Sequence, residues 1–135
     1  MNRWRSGRVA VRGGALVYHR TGGDGRPLVL SHGLTDNGLC WSRFAAEMAR
    51  DFDVIMLDAR GHGDSARIAA DAVHDAASDL AEAIEALGLA APIVMGHSVG
   101  ARATAVFASA HPDRANRVVL EDPAFVPLVS GDQLA

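Results

Sequence analysis

Four short, essentially continuous apolar runs constrain the fold of this chain more than any other feature: Pro27–Leu30, Phe52–Leu57, Ala91–Met95 and Arg117–Glu121. They lack the strict apolar–polar alternation of a strand with one wet face, so each reads as a strand buried on both faces. Helical patterns separate them. Residues 38–50 place Leu39, Phe44 and Met48 at helical spacing, and a helix of small residues runs from Val99 to Ala110, ahead of Pro112. The cleanest helix spans 72–87, where Val73, Ala77, Leu80, Ile84 and Leu87 form one apolar stripe. Asp75, Asp79, Glu82 and Glu85 fall off that stripe, mostly toward solvent, and Gly88 is placed for a left-handed cap. Buried strands alternating with helices imply crossover connections and a parallel sheet covered on both faces. Ahead of them, Arg8–Val11 and Ala15–Arg20 flank Gly13-Gly14, a pair suited to a tight primed turn, so the chain enters its sheet through a hairpin.

Composition removes several chemistries. All 13 basic residues are arginine, and without lysine there is no Schiff base, no pyridoxal-phosphate anchor and no P-loop lysine. A net charge of −3 with scattered arginines lacks the basic footprint of a nucleic-acid binder. The single cysteine, Cys40, forms no intramolecular disulfide and, beside Trp41, is expected to pack as a small hydrophobe. The start of the chain lacks a signal-peptide pattern, and no apolar run approaches the ~20 residues that cross a bilayer. These features point to a cytoplasmic protein with no membrane partner. No H-E-x-x-H and no G-x-G-x-x-G after a strand is present, so no metal or cofactor is implied.

The candidate chemistry lies at Gly96-His97-Ser98-Val99-Gly100, which directly follows one buried strand and directly opens a helix. In that setting a sharp turn lifts the serine hydroxyl clear of the sheet, and the flanking glycines relieve crowding between strand and helix. The helix N-terminus supplies free N–H groups to a developing oxyanion. Ser31-His32-Gly33-Leu34 ends the Pro27–Leu30 strand, where a loop would pass beside that turn. The N–H groups of Leu34 and Val99 are thus candidate oxyanion donors, while the His32 side chain reads as a hydrogen-bonded loop histidine. Asp58-Ala59-Arg60-Gly61-His62-Gly63-Asp64-Ser65 reads as a compact turn held by Asp58 and Arg60 rather than as a catalytic group.

Four blocks, "PLVLSHGLTDN", "DVIMLDARGHGDS", "PIVMGHSVGA" and "HPDRANRVVLEDP", occur in the order and spacing of the α/β-hydrolase superfamily. From about Val9 to Pro123 the chain resembles its esterase, ring-cleavage-hydrolase and haloperoxidase-like branches. The resemblance implies a mostly parallel sheet with helices on both faces, present here over 1–135 as strands 1 to 6 of the usual eight. It implies hydrolysis of a small-molecule ester or related acyl (C–O, C–N or C–C) bond. Ser98 matches the nucleophile, Leu34 and Val99 match the oxyanion donors, and His32, Gly33, Gly96, His97 and Gly100 match the supporting motif positions. Serine at 98 disfavours the aspartate-nucleophile chemistry of haloalkane dehalogenases and epoxide hydrolases.

The pattern departs from the family in one respect. Serine attack needs a general base, supplied in the family by a histidine after the last strand. None of His19, His32, His62, His74, His97 and His111 matches that position. Asp122, after "VVLE", is the one carboxylate at a suitable sheet end for the acid; a role orienting the junction to a cap domain competes with it. The pattern stops before the cap and the last two strands, and the closing "PAFVPLVSGDQLA" carries no further strand signal. The simpler expectation is the N-terminal portion of a longer hydrolase, inactive or nearly so alone, with its base beyond Ala135. The competing one is a short, non-catalytic binding or interaction protein on the same fold.

Overall fold

The computed structural model describes residues 4–125. Strands β1 (Arg5–Val11) and β2 (Gly14–Arg20) form the entry hairpin, followed by β3 (Arg26–Ser31), β4 (Phe52–Leu57), β5 (Ile93–His97) and β6 (Arg117–Glu121). Three α-helices interleave with them: α1 (Ser42–Met48), α2 (Ala76–Ala86) and α3 (Val99–Ala110). The strands make one sheet in the order β1-β2-β4-β3-β5-β6. The first two interfaces are antiparallel, and β4, β3, β5 and β6 run parallel to one another. The mostly parallel sheet expected from the apolar runs is therefore present.

Both faces of its centre are buried, as continuous apolar strands require. Val29, Ile55, Leu57 and Val94 point to one face, where Leu80 and Ile84 of α2 and Phe107 of α3 cover them. Their strand neighbours Leu28, Leu30, Val54 and Met56 point to the other, against Trp41 and Ala45. Each such side chain contributes about 1.5–3 kcal/mol on removal from water.

Several local expectations are corrected. The hairpin turn is Arg12-Gly13, with only Gly13 at positive φ (74°), because Gly14 already pairs with Val11 as the first residue of β2. Helix α2 starts at Ala76, not at 72, because extended Asp75 (φ −122°, ψ 101°) caps it by accepting from Ala77 N–H. Val73 consequently lies before the helix and is fully exposed. The far end of α2 behaves as read: Gly88 has φ 65°, with Gly88 N–H on Glu85 O and Leu89 N–H on Ile84 O.

The 38–50 helix is a 3₁₀ turn, Gly38–Trp41, running into α1. The tighter turn shifts the inward stripe to Gly38, Trp41 and Ala45, leaving Leu39 and Cys40 exposed; Cys40 is not a core residue. Finally, β6 is a strand but not a buried one, with all five residues exposed. It is the edge of the sheet, and among the described residues nothing covers its outer side. The closing segment, 126–135, lies outside the described residues.

Candidate active site

Ser98 is the single residue between β5 and α3, and its backbone is strained: φ 54°, ψ −118°. A non-glycine residue in such a region costs on the order of 1–3 kcal/mol and persists only where its surroundings hold it. They do so here. A side chain at Gly96 would overlap the Gly100 carbonyl, and one at Gly100 would overlap the carbonyls of Ser31 and His32. Strand, helix and the end of β3 thus meet at backbone contact, which only glycine permits. Ser98 N–H donates to Glu121 O (3.0 Å), and Ser98 O accepts from Arg102 N–H (3.1 Å) and Ala124 N–H (3.3 Å). The sequence reading missed this brace from the end of β6, since nothing local to the motif signals a partner more than twenty residues away.

Residues 32–34 run alongside, because Ser31 of β3 pairs with Gly96 of β5. A Cβ at Gly33 would sit 3.0 Å from His97 Cδ2 and 3.6 Å from Ser98 Cβ, so Gly33 lets the loop approach the serine. Among the described residues, neither Leu34 N–H nor Val99 N–H donates to a protein acceptor. For Val99 this follows from its place at the start of a helix. The arrangement places the strained Ser98 beside the Gly33 turn, with the Leu34 and Val99 N–H groups unbonded among the described residues.

The turn after β4 is structural in its contacts. Asp58, 3% exposed, accepts from Gly38 N–H at 2.7 Å and Asp64 N–H at 3.1 Å. Arg60 does not pair with Asp58; its guanidinium grips Asp79 of α2 and the carbonyls of Arg12 and Gly13. That contact corrects the placing of Asp79 toward solvent.

All six histidines lie in the described region, and none bonds the Ser98 hydroxyl. His19 bonds Ser6 Oγ, and His74 stands 3.7 Å from Asp79. Buried His32 donates from Nδ1 to Gly33 O (2.7 Å) and accepts Ala59 N–H at Nε2 (3.0 Å). Burial holds its pKa below the usual histidine value. His62 contacts the carbonyls of Arg60 and Leu34. His97 Nδ1 faces Glu121 at 3.8 Å without a hydrogen bond, and His111 lies tilted against the Phe107 ring. Asp122 is exposed at φ 45°, one residue beyond the Glu121 carbonyl that holds Ser98, with no histidine bonded to it among the described residues. Desolvation, helped by Asp36 and Glu121, pushes the Cys40 thiol up to about 11, away from the thiolate form. No three His, Cys, Asp or Glu side chains among the described residues are placed to hold a metal ion. No described helix is long and apolar enough to cross a membrane.

A concavity of about 510 Å³ lies elsewhere, between the hairpin turn and α2, lined by residues such as Arg12, Arg60, Ile68, Val73 and Glu82. It contains none of residues 31–34 or 96–100, and its Arg60 is already committed to Asp79.

Strand order, elbow and neighbouring loop together define an α/β fold with a strained strand-to-helix turn at the C-terminal end of β5, one strand in from the edge. The sequence pattern of the alpha/beta hydrolase fold family matches residues 26–133, and the chain belongs to that family. It is 36% identical over 119 residues to the N-formylmaleamate deformylase of Pseudomonas putida, covering 87% of this chain and 44% of that protein. It is 32% identical over 117 residues to the 2-(acetamidomethylene)succinate hydrolase of Mesorhizobium japonicum, covering 85% and 41%. Among solved structures, a hypothetical protein of Pseudomonas aeruginosa PAO1 superposes with a TM-score of 0.84 at 32% identity, over 95% of this chain and 46% of that one. A marine microorganism esterase matches with a TM-score of 0.73 at 32% identity, over 78% and 40%. The chain thus spans less than half the length of these relatives.

Proposed function

We propose that the chain carries the nucleophile and oxyanion hole of a serine hydrolase acting on an ester or related acyl bond of a small molecule. The observation that carries this is the strained Ser98 between Gly96 and Gly100, with the Gly33-Leu34 peptide beside it. Ser98 Oγ attacks the acyl carbon, its proton passing to a base. The N–H groups of Leu34 and Val99 receive the charge that develops on the acyl oxygen. Relatives bearing the names deformylase, hydrolase and esterase support the reaction class and leave the substrate of this chain open. No cofactor enters the step. Asp122 is the candidate acid, and the histidine is expected outside these 135 residues.

With no histidine at Ser98, the chain alone is expected to turn over slowly or not at all. Triad loss elsewhere leaves only about 10³–10⁴-fold rate enhancement over water, from the oxyanion hole and binding. The same missing contact favours a second reading, a non-catalytic binding protein on this fold. A fluorophosphonate probe and an activated ester separate them. Slow labelling that disappears in Ser98→Ala, and turnover gained when the chain is extended by its downstream coding sequence, support the hydrolase. Turnover that survives Ser98→Ala refutes Ser98 as the nucleophile, and a folded chain that neither labels nor gains activity when extended is a binding module.

A further inference from the structure

The turn after β4, which the proposed chemistry does not use, is fastened to the loop after β3 at three points. Ala59 N–H donates to His32 Nε2 (3.0 Å), His62 Nε2–H donates to Leu34 O (2.6 Å), and Gly38 N–H donates to Asp58 Oδ1 (2.7 Å). The middle contact falls on the residue whose N–H is the proposed oxyanion donor. We propose that His62 is a positioning residue for that donor, holding the Leu34 carbonyl so that the Leu34 N–H keeps its aim. The inference rests on the reading of Leu34 as an oxyanion donor.

Packing does not fix Leu34, which is 65% exposed. Hydrogen bonds do, two on the peptide before it and one on the peptide after. The Gly33 carbonyl accepts from His32 Nδ1–H (2.7 Å) and Asp36 N–H (3.2 Å). Because the Gly33–Leu34 peptide is planar and trans, the Leu34 N–H points opposite that carbonyl. Bonds at the carbonyl oxygen alone pin one end of the plane and leave it free to tilt about that point, and His62 limits the tilt by holding the carbonyl on the other side of Leu34. The His62 ring is itself placed by packing: it meets the His32 ring edge-on at 5.0 Å and 68°. Two histidines from different segments thereby grip two consecutive carbonyls around one residue.

Isotope-labelled protein tests this by NMR, in wild type, His62→Leu and His62→Gln, the last restoring an N–H of similar reach. Expected are a protonated His62 Nε2 with scalar coupling to the Leu34 carbonyl carbon, and a Leu34 N–H order parameter near ~0.85 that falls below ~0.6 in His62→Leu and returns in His62→Gln. The rate of Ser98 labelling by fluorophosphonate is expected to fall about tenfold in His62→Leu and to recover in His62→Gln, less than the ~10²–10³-fold cost of deleting an oxyanion donor outright. An uncoupled His62 Nε2 in wild type overturns the proposal whatever the variants do. So does a folded His62→Leu protein with unchanged Leu34 order. Absence of labelling in every version, with the NMR response intact, instead overturns the hydrolase reading and supports the His62 contact.

Discussion

Asp79 of α2 accepts two hydrogen bonds, each 2.9 Å, from the guanidinium of Arg60 in the turn after β4. Both side chains are only 11% exposed, and the Asp79 bond raises the Arg60 pKa above its usual range. Since Arg60 also donates to the carbonyls of Arg12 and Gly13, this pair ties helix, turn and hairpin together. Removing one member leaves the other charged and nearly buried, so Asp79→Ala is expected to cost about 2–4 kcal/mol. Urea unfolding checks this as a lowered midpoint at unchanged slope; a midpoint equal to wild type contradicts it.

The strain at Ser98 sets two substitutions apart. Glycine adopts φ 54° without penalty whereas alanine does not, so Ser98→Gly is expected to be about 1 kcal/mol more stable than Ser98→Ala. Paired thermal melts measure the difference. Gly100→Ala, which drives a methyl into the carbonyls of Ser31 and His32, is expected to lower stability by about 3 kcal/mol or to prevent folding.

His32 makes stability depend on pH. Burial lowers its folded pKa, so the unfolded chain binds the proton more readily. Its contribution is complete above the ordinary histidine value of about 6.5 and is lost as pH falls from there through the lowered folded value. Protonation also removes the Nε2 lone pair that accepts Ala59 N–H. Wild type is therefore expected to lose more stability than His32→Gln between about pH 7 and pH 5. Parallel profiles in denaturant titrations would count against it.

Asp75 does two jobs at the start of α2, accepting Ala77 N–H at 3.0 Å and Ser78 Oγ–H at 2.6 Å. Asp75→Ala is expected to cost about 1 kcal/mol. The Ser78 bond, more than any other cause, lowers the carboxyl's pKa. The carboxylate's share is thus present above the usual carboxylate range and lost as pH falls through the lowered value. The gap between wild type and variant should narrow on acidification, as melts from about pH 6 to pH 2 will show.

The sheet and the elbow were legible because both are local patterns. Continuous apolar strands, a helix stripe and glycines at 96 and 100 reflect forces acting over a few residues. What escaped reading acts across the fold. Periodicity assigns Asp79 to solvent because Arg60 comes from another element, and it assigns Val73 to a helix that Asp75 begins later. Cys40 reads as core where a 3₁₀ turn rotates it outward, and β6 has the composition of an inner strand although it is the sheet edge and all five of its residues are exposed. The grip of His62 on Leu34 spans 28 residues and leaves no mark in spacing.

The brace between Glu121 and Ser98 makes the most contorted peptide of the site depend on the least protected strand. Every excursion in which β6 lifts from β5 gives up the Ser98 N–H and lets the distorted backbone relax, so the strain is partly released by the opening that undoes it. The edge strand is thus a working part of the elbow: the docking of β6 shares the hold on Ser98 with the close backbone contacts at Gly96 and Gly100.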